Sequence, residues 1–185
     1  AALAARGVST VAVTLSGSGF DGDGRLVDER AFATNTYGQE LEDLAHARAA
    51  AAELGLAGAP VVVGHSRGAA MGLLHADAAG ARAFVGLAAG GHVGRFRPER
   101  VAAWRRDGRL SYALPDGRTW WLETAFLDDL EAHRERYDLA AAAARFERPA
   151  LLVHGALDRA VPPDEARAHA ARFPRGVRRE LDGLG

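Results

Sequence analysis

The sequence contains no cysteine and no lysine, and each absence excludes a class of chemistry. Without cysteine the chain has no disulfide, no thiolate nucleophile and no cysteine-ligated zinc site. Without lysine it has neither a Schiff-base catalyst nor the lysine of a phosphate-binding loop. No pair of histidines or carboxylates has the spacing of metal ligands either, so we expect no metal and no other cofactor.

The chain also lacks an excess of charge of either sign, and it has no long hydrophobic run. The formal net charge is -1, which does not fit a nucleic-acid surface. No apolar run approaches the roughly 20 residues that span a bilayer, and the first residues lack the pattern of a signal peptide. We therefore expect a cytoplasmic protein with neither a nucleic-acid nor a membrane partner. The oligomeric state stays open.

What is present is a chain of 185 residues with an ordinary apolar fraction of 48%, enough for one domain with a substantial core. Residues 8–14 are rich in β-branched side chains and predict a buried strand, and the valine run 61–63 is typical of a parallel strand covered on both faces. Further strands are predicted at 83–88, 150–153 and 176–181, and helices at 68–76 and 163–172. This alternation predicts an α/β fold with a mostly parallel sheet and helices on both faces.

The alternation is interrupted once, between about residues 91 and 148. This stretch is helical in pattern, apart from a hairpin predicted from strands 110–114 and 119–122 around the turn Pro115, Asp116 and Gly117. We interpret it as a cap inserted into the single domain 1–185, over the sheet edge at which ligands usually bind. The cap also carries the aromatic side chains, which either shape an acyl-binding site or pack the cap: Trp104, Tyr112, Trp120, Trp121 and Phe126.

A nucleophile motif follows the valine run. Gly64, Ser66 and Gly68 form Gly-x-Ser-x-Gly between a predicted strand and a predicted helix, the setting in which a sharp turn exposes a serine hydroxyl. We expect a side chain at either glycine to clash with nearby backbone. The N–H of Arg67, at the start of the helix, is a candidate oxyanion-hole donor. The alternative is an ordinary glycine-rich turn.

Asp158 is the candidate acid of a catalytic triad. It comes shortly after a predicted strand, and the chain order of serine before aspartate is the order that hydrolases with this elbow use. Two structural alternatives stay open, in which Asp158 only caps a turn or pairs with Arg159.

No histidine occupies the expected position of the base, a loop after the last strand that would begin at 183–185. His65 should point away from the serine, His154 sits inside a strand, and His92 is a substrate-pocket candidate because it follows a strand end. The remaining histidines fall in helical stretches and are interpreted as solvated or packing residues: His46, His75, His133 and His169.

Five stretches carry a resemblance to a known family: Gly-His-Ser-Arg-Gly at 64–68, His-Gly-x-x-Asp at 154–158, and the segments 32–44, 109–118 and 180–185. On these marks the chain resembles the α/β-hydrolase superfamily, particularly its dienelactone-hydrolase-like and cinnamoyl-esterase-like branch. The resemblance implies a catalytic histidine soon after residue 185 and a His-Gly oxyanion loop before residue 1. We therefore expect a chain that is truncated at both ends.

The resemblance also implies a small-molecule ester substrate and a reaction, which is hydrolysis of carboxylic esters through an acyl-enzyme intermediate on Ser66. Related enzyme classes remain open, namely thioesterase, peptidase of small substrates and acyltransferase, because a fold does not fix a substrate. A non-catalytic binding or regulatory module with a vestigial serine is the alternative outside enzymes.

Overall fold

The computed structural model describes residues 3–21, 25, 27–114 and 116–184. The strands, in chain order, are β1 (Val61–His65), β2 (Ala83–Leu87), β3 (Arg109–Ala113), β4 (Thr119–Glu123), β5 (Ala150–Gly155) and β6 (Gly176–Leu181). The helices are α1 (Glu29–Ala33), α2 (Tyr37–Glu53), α3 (Arg67–Ala76), α4 (Pro98–Asp107), α5 (Ala125–Ala132), α6 (Leu139–Arg145) and α7 (Pro163–Ala170). Short 3-10 turns lie at Ala4–Arg6 and Ser16–Ser18.

The chain forms two compact units. Unit 1 combines Ala1–Gly58 with Phe96–Glu131, and unit 2 combines Ala59–Arg95 with Ala132–Gly185. The predicted cap, residues 91–148, thus contributes its middle to unit 1 and both of its flanks to unit 2, and its role as a cap stays a prediction. Pro115 of the expected turn and the terminal residues Ala1 and Gly185 lie outside the described residues.

Unit 2 is built on a four-stranded sheet in the order β1-β2-β5-β6, in which every pairing is parallel. Helix α3 packs against β1 and β2, and α7 packs against β5 and β6. Phe84 of β2 stacks on Phe173 at a ring-centroid distance of 5.9 Å and meets Phe146 edge-on, so the core lies between the sheet and these helices. The predicted α/β class is confirmed.

Two expectations about strands are wrong. Residues 8–14 are exposed and form no strand, because within the described part of the chain no neighbouring strand pairs with them. β1 is an edge strand with the side chain of Val63 62% exposed, so it is not covered on both faces. β-branched residues favour a strand, but burial depends on neighbours that a local pattern does not supply.

Unit 1 holds the predicted hairpin and an aromatic core. β3 and β4 pair antiparallel, with Leu110 opposite Leu122 and Tyr112 opposite Trp120. Helix α2 begins after Thr36, whose side chain accepts a hydrogen bond from the N–H of Gln39 at 3.1 Å. No helix in the described residues combines the length and the apolarity that crossing a bilayer requires.

Candidate active site

Ser66 is the single residue between the end of β1 and the start of α3. Its backbone has φ 50° and ψ −120°, a conformation that side-chain-bearing residues rarely adopt and that costs about 1–3 kcal/mol. The surroundings hold it there, since the Ser66 N–H donates to the carbonyl of Leu87 and the Ser66 carbonyl accepts from Ala69 and Ala70. The Ser66 residue is exposed, so the turn presents its hydroxyl group to solvent.

The two motif glycines differ in their surroundings. A Cβ on Gly64 would lie 2.4 Å from the carbonyl oxygen of Gly68 and 2.5 Å from backbone atoms of Ala69, which forbids any side chain there. A Cβ on Gly68 would have no neighbour within 4 Å, so the expected clash at Gly68 is wrong. The reason is that Gly64 lies beneath the first turn of α3, whereas Gly68 belongs to that turn and faces outward.

Arg67 is the first residue of α3. The first N–H groups of a helix have no carbonyl partner within the helix, and together with the helix dipole they favour negative charge nearby. The Arg67 N–H therefore has the position that an oxyanion-hole donor needs, directly after the exposed serine. Its role as that donor stays a prediction.

Asp158 lies just after β5, in the short turn that leads to Val161. Its Oδ1 accepts hydrogen bonds from the N–H of Ala160 at 2.8 Å and of Val161 at 3.0 Å, and its side chain is only 13% exposed. The Val161 N–H, supported by that of Ala160 and by His154 and His65, holds the pKa of the carboxyl below its usual range. Asp158 does cap a turn, as one alternative expected, but it forms no ion pair with Arg159.

Ser66 and Asp158 emerge at the same edge of the sheet. β1 and β5 run parallel with only β2 between them, and the register aligns His65 with Leu87 and Leu87 with Val153 at their carboxyl ends. Two strand spacings separate the ends of β1 and β5 by about 10 Å. This is a gap that an imidazole placed between a serine and a carboxylate can bridge.

The histidines lie as follows. His65 and His92 are exposed, the first at the end of β1 and the second in the loop after β2. His169 is buried in α7 with its ring edge-on to Phe173, and burial lowers its pKa to about 4. Among the described residues, no histidine hydrogen-bonds to the Ser66 hydroxyl. His46 and His75 lie in helices as expected, but His133 lies in a turn after α5.

Most of the cap aromatics pack in the core of unit 1. Trp104 stacks on Phe126 at 5.9 Å, and Trp120 is buried against Phe32 at 5.4 Å. Trp121 is only half-buried and carries the Arg109 guanidinium over its ring at 3.9 Å. Trp104, Trp120 and Phe126 therefore serve as packing residues.

Two residues to which the sequence assigned no role support the loops at this sheet edge. Glu165 of α7 accepts a hydrogen bond from the Gly91 N–H at 3.2 Å and pairs with Arg95 at 2.7 Å, which holds the loop that carries His92. His154 of β5 contacts the carbonyl oxygen of Val161. Burial alternates along β5 and places position 154 on the inward face, which the continuously apolar run 150–153 does not reveal in the sequence.

Comparison with known proteins now places the chain. A family model described as the alpha/beta hydrolase family matches residues 1–185. The chain belongs to the alpha/beta hydrolase family. Members of this family place a nucleophile at a strand-to-helix turn, and in this chain Ser66 lies at such a turn, between β1 and α3. Its role as the nucleophile stays a prediction. A comparison with curated proteins found no match.

Solved structures share the hydrolase fold at low sequence identity. Est1E from Butyrivibrio proteoclasticus is 20% identical with a TM-score of 0.61, and the match covers 81% of this chain and 62% of that one. The same protein with ferulic acid bound is 21% identical with a TM-score of 0.63, and the match covers 83% of this chain and 61% of that one. A monoacylglycerol lipase from Paleococcus ferrophilus is 17% identical with a TM-score of 0.59, and the match covers 82% of this chain and 67% of that one. The chain thus spans less than two thirds of the length of Est1E.

Proposed function

We propose that this hydrolase cleaves carboxylic esters through an acyl-enzyme intermediate on Ser66. The observation that carries the proposal is the backbone of Ser66, held at φ 50° between an edge strand and a helix N-terminus. Strained backbone of this kind persists where the surrounding structure enforces it, and such positions cluster at active sites. An exposed hydroxyl above a helix N-terminus has both the access and the electrostatic field that acyl transfer requires.

In the proposed mechanism the Ser66 oxygen attacks the ester carbonyl carbon while a histidine base takes the hydroxyl proton. The Arg67 N–H donates to the oxyanion, and the tetrahedral intermediate collapses as the base returns its proton to the departing alcohol. A water molecule, deprotonated by the same base, then attacks the acyl-enzyme and releases the acid. Asp158 keeps its negative charge because its pKa is lowered, so it can hold the imidazolium that forms in each step.

We assign the base to a histidine outside residues 1–185. The described histidines support this assignment, since none hydrogen-bonds to Ser66, and His154 and His169 are buried. The exposed His65 and His92 are the internal alternatives. On this proposal the chain alone turns over ester about 10⁴-fold more slowly than a protein that includes the base.

The substrate class is proposed from the fold neighbours. Est1E is described with ferulic acid bound, and the Paleococcus ferrophilus protein is named a monoacylglycerol lipase. Both names concern carboxylic acids or their esters. We therefore propose a small carboxylic ester as the substrate of this chain, which needs no cofactor in the mechanism above.

A fluorophosphonate probe tests the proposal. The natural protein that carries this chain should be labelled covalently at Ser66, and Ser66→Ala should abolish the labelling. Ser111→Ala is the matched control, because Ser111 is exposed on β3 and has no part in the elbow. Absence of labelling in a correctly folded protein would instead support a binding or regulatory module with a vestigial serine.

A further inference from the structure

His154 places an imidazole where the other inward positions of β5 carry apolar side chains. Ala150, Leu152 and His154 alternate along the buried face of the strand, and His154 is only 4% exposed. Burying a polar ring is unfavourable unless it is hydrogen-bonded. Its Nε2 lies 2.9 Å from the carbonyl oxygen of Val161, and that contact compensates for the burial.

The contact closes a loop around the candidate acid. The N–H of Val161 donates to Asp158 Oδ1, and the carbonyl of the same residue accepts from His154, so both backbone groups of Val161 are fixed. His154 Nε2 also lies 3.5 Å from Asp158 Oδ2. The ring therefore borders the carboxylate directly and also restrains it through Val161.

The chemistry of the partners defines the tautomer. A carbonyl oxygen only accepts, so the proton of a neutral His154 must be on Nε2, and Nδ1 is left without a hydrogen. Nδ1 is buried and has no hydrogen-bond partner in the described residues. A general base must offer a bare nitrogen to the serine hydroxyl, and a buried ring whose Nε2 is committed to Val161 is not placed to do so.

Asp158 has one oxygen left for a base. Oδ1 is used by the Ala160 and Val161 N–H groups, so Oδ2 is the oxygen that can accept a hydrogen bond from a triad imidazole. The His154 ring stands beside Oδ2. We propose that His154 is a positioning residue that orients Oδ2 of Asp158 toward the catalytic base through its hydrogen bond to Val161. This inference rests on the proposed function.

Two substitutions in the natural full-length protein test it. His154→Leu keeps a similar volume but removes the donor, and we expect kcat to fall about 10-fold with KM changed less than twofold, because a misoriented acid affects the chemical step. His154→Gln keeps an N–H donor at similar reach, and kcat should recover to within about threefold of the parent. Leu152→Ala is the control, since it perturbs the same buried face of β5 without touching the loop.

A spectroscopic readout separates positioning from packing. Nitrogen-15 NMR of the histidine rings should find the proton of His154 on Nε2 whether or not the enzyme is active. A His154→Leu variant that loses no more kcat than Leu152→Ala at equal stability, or a His154 protonated on Nδ1 alone, overturns the proposal. If Asp158→Asn keeps full activity, the acid assignment fails and this inference fails with it. Full activity of His154→Leu beside an inactive Asp158→Asn refutes this inference alone.

Discussion

The elbow provides a matched pair of substitutions, Gly64→Ala and Gly68→Ala, for which the structure predicts opposite effects. The new Cβ at position 64 would lie 2.4 Å from the Gly68 carbonyl oxygen, so the first turn of α3 must move by about 1 Å to restore ordinary contact. Overpacking of this kind costs about 1–3 kcal/mol, and here it acts on rigid backbone next to a strained Ser66. We expect Gly64→Ala to destabilise the protein by about 3 kcal/mol.

Gly68→Ala should do the reverse. Position 68 is the second residue of α3 with open space at its Cβ, and alanine in a helix is favoured over glycine by up to about 1 kcal/mol. In a domain of this size 1 kcal/mol shifts Tm by roughly 2–4 °C. Thermal unfolding followed by circular dichroism should thus show Gly64→Ala melting about 6–12 °C lower and Gly68→Ala about 1–4 °C higher. Equal effects of the two substitutions would refute this account of the elbow.

Three further predictions concern titration and loop support. The pKa of His169 is near 6.5 in the unfolded chain but about 4 in the folded protein, so the free energy of unfolding falls by up to about 3 kcal/mol as the pH drops through this window. His169→Leu should remove this pH-dependent part of the stability, which urea unfolding at pH 7 and pH 4.5 measures. Because the pKa of Asp158 is lowered in the folded state, its ionised form stabilises the fold at neutral pH, and this contribution is lost as the pH falls through the acid range. Asp158→Asn should therefore lower the unfolding midpoint at pH 7, and its difference from the parent should shrink as the pH falls. Glu165→Ala should lower kcat/KM about 10-fold on p-nitrophenyl acetate, whereas Glu165→Gln, which keeps an acceptor for Gly91, should stay within about threefold.

Each of these has a clear contrary result. A pH-dependence that is the same in His169→Leu and in the parent would mean that the ring is hydrated in the folded state. Convergence of Asp158→Asn with the parent at pH 7 would mean that the bonds from Ala160 and Val161 contribute nothing to stability. Equal losses in the two Glu165 variants would indicate that the pair with Arg95, and not the bond to Gly91, holds the loop.

The features that the sequence predicted well are local ones. The β1-to-α3 turn follows from an apolar run, a glycine at 64 and small residues after 68, all within a few positions of each other. The β3–β4 hairpin follows likewise from turn residues between two alternating segments. In each case the interacting groups are near neighbours along the chain, so a short pattern contains nearly all of the information.

The features that it predicted poorly depend on distant partners. Residues 8–14 have strand propensity, but a strand exists only where another one completes its hydrogen bonds, and the described residues supply none there. The exposed Val63 has the same cause, because the burial of β1 is decided by what lies beside it. Gly68 illustrates a further limit. The motif gives the positions of its glycines, but it does not show at which of them a side chain would clash with neighbouring backbone.

Asp158 illustrates how a structural role and a catalytic one can be compatible. From the sequence, capping a turn and serving as the acid are rivals, because each would account for an aspartate after a strand. In the structure the capping bonds use Oδ1 alone. They lower the pKa of the Asp158 carboxyl, which keeps it ionised as a triad acid must be. Oδ2 takes no part in these capping bonds and lies 3.5 Å from Nε2 of His154. Turn capping is therefore not evidence against the acid role, since a carboxylate that must stay ionised and oriented is best held by one of its own oxygens.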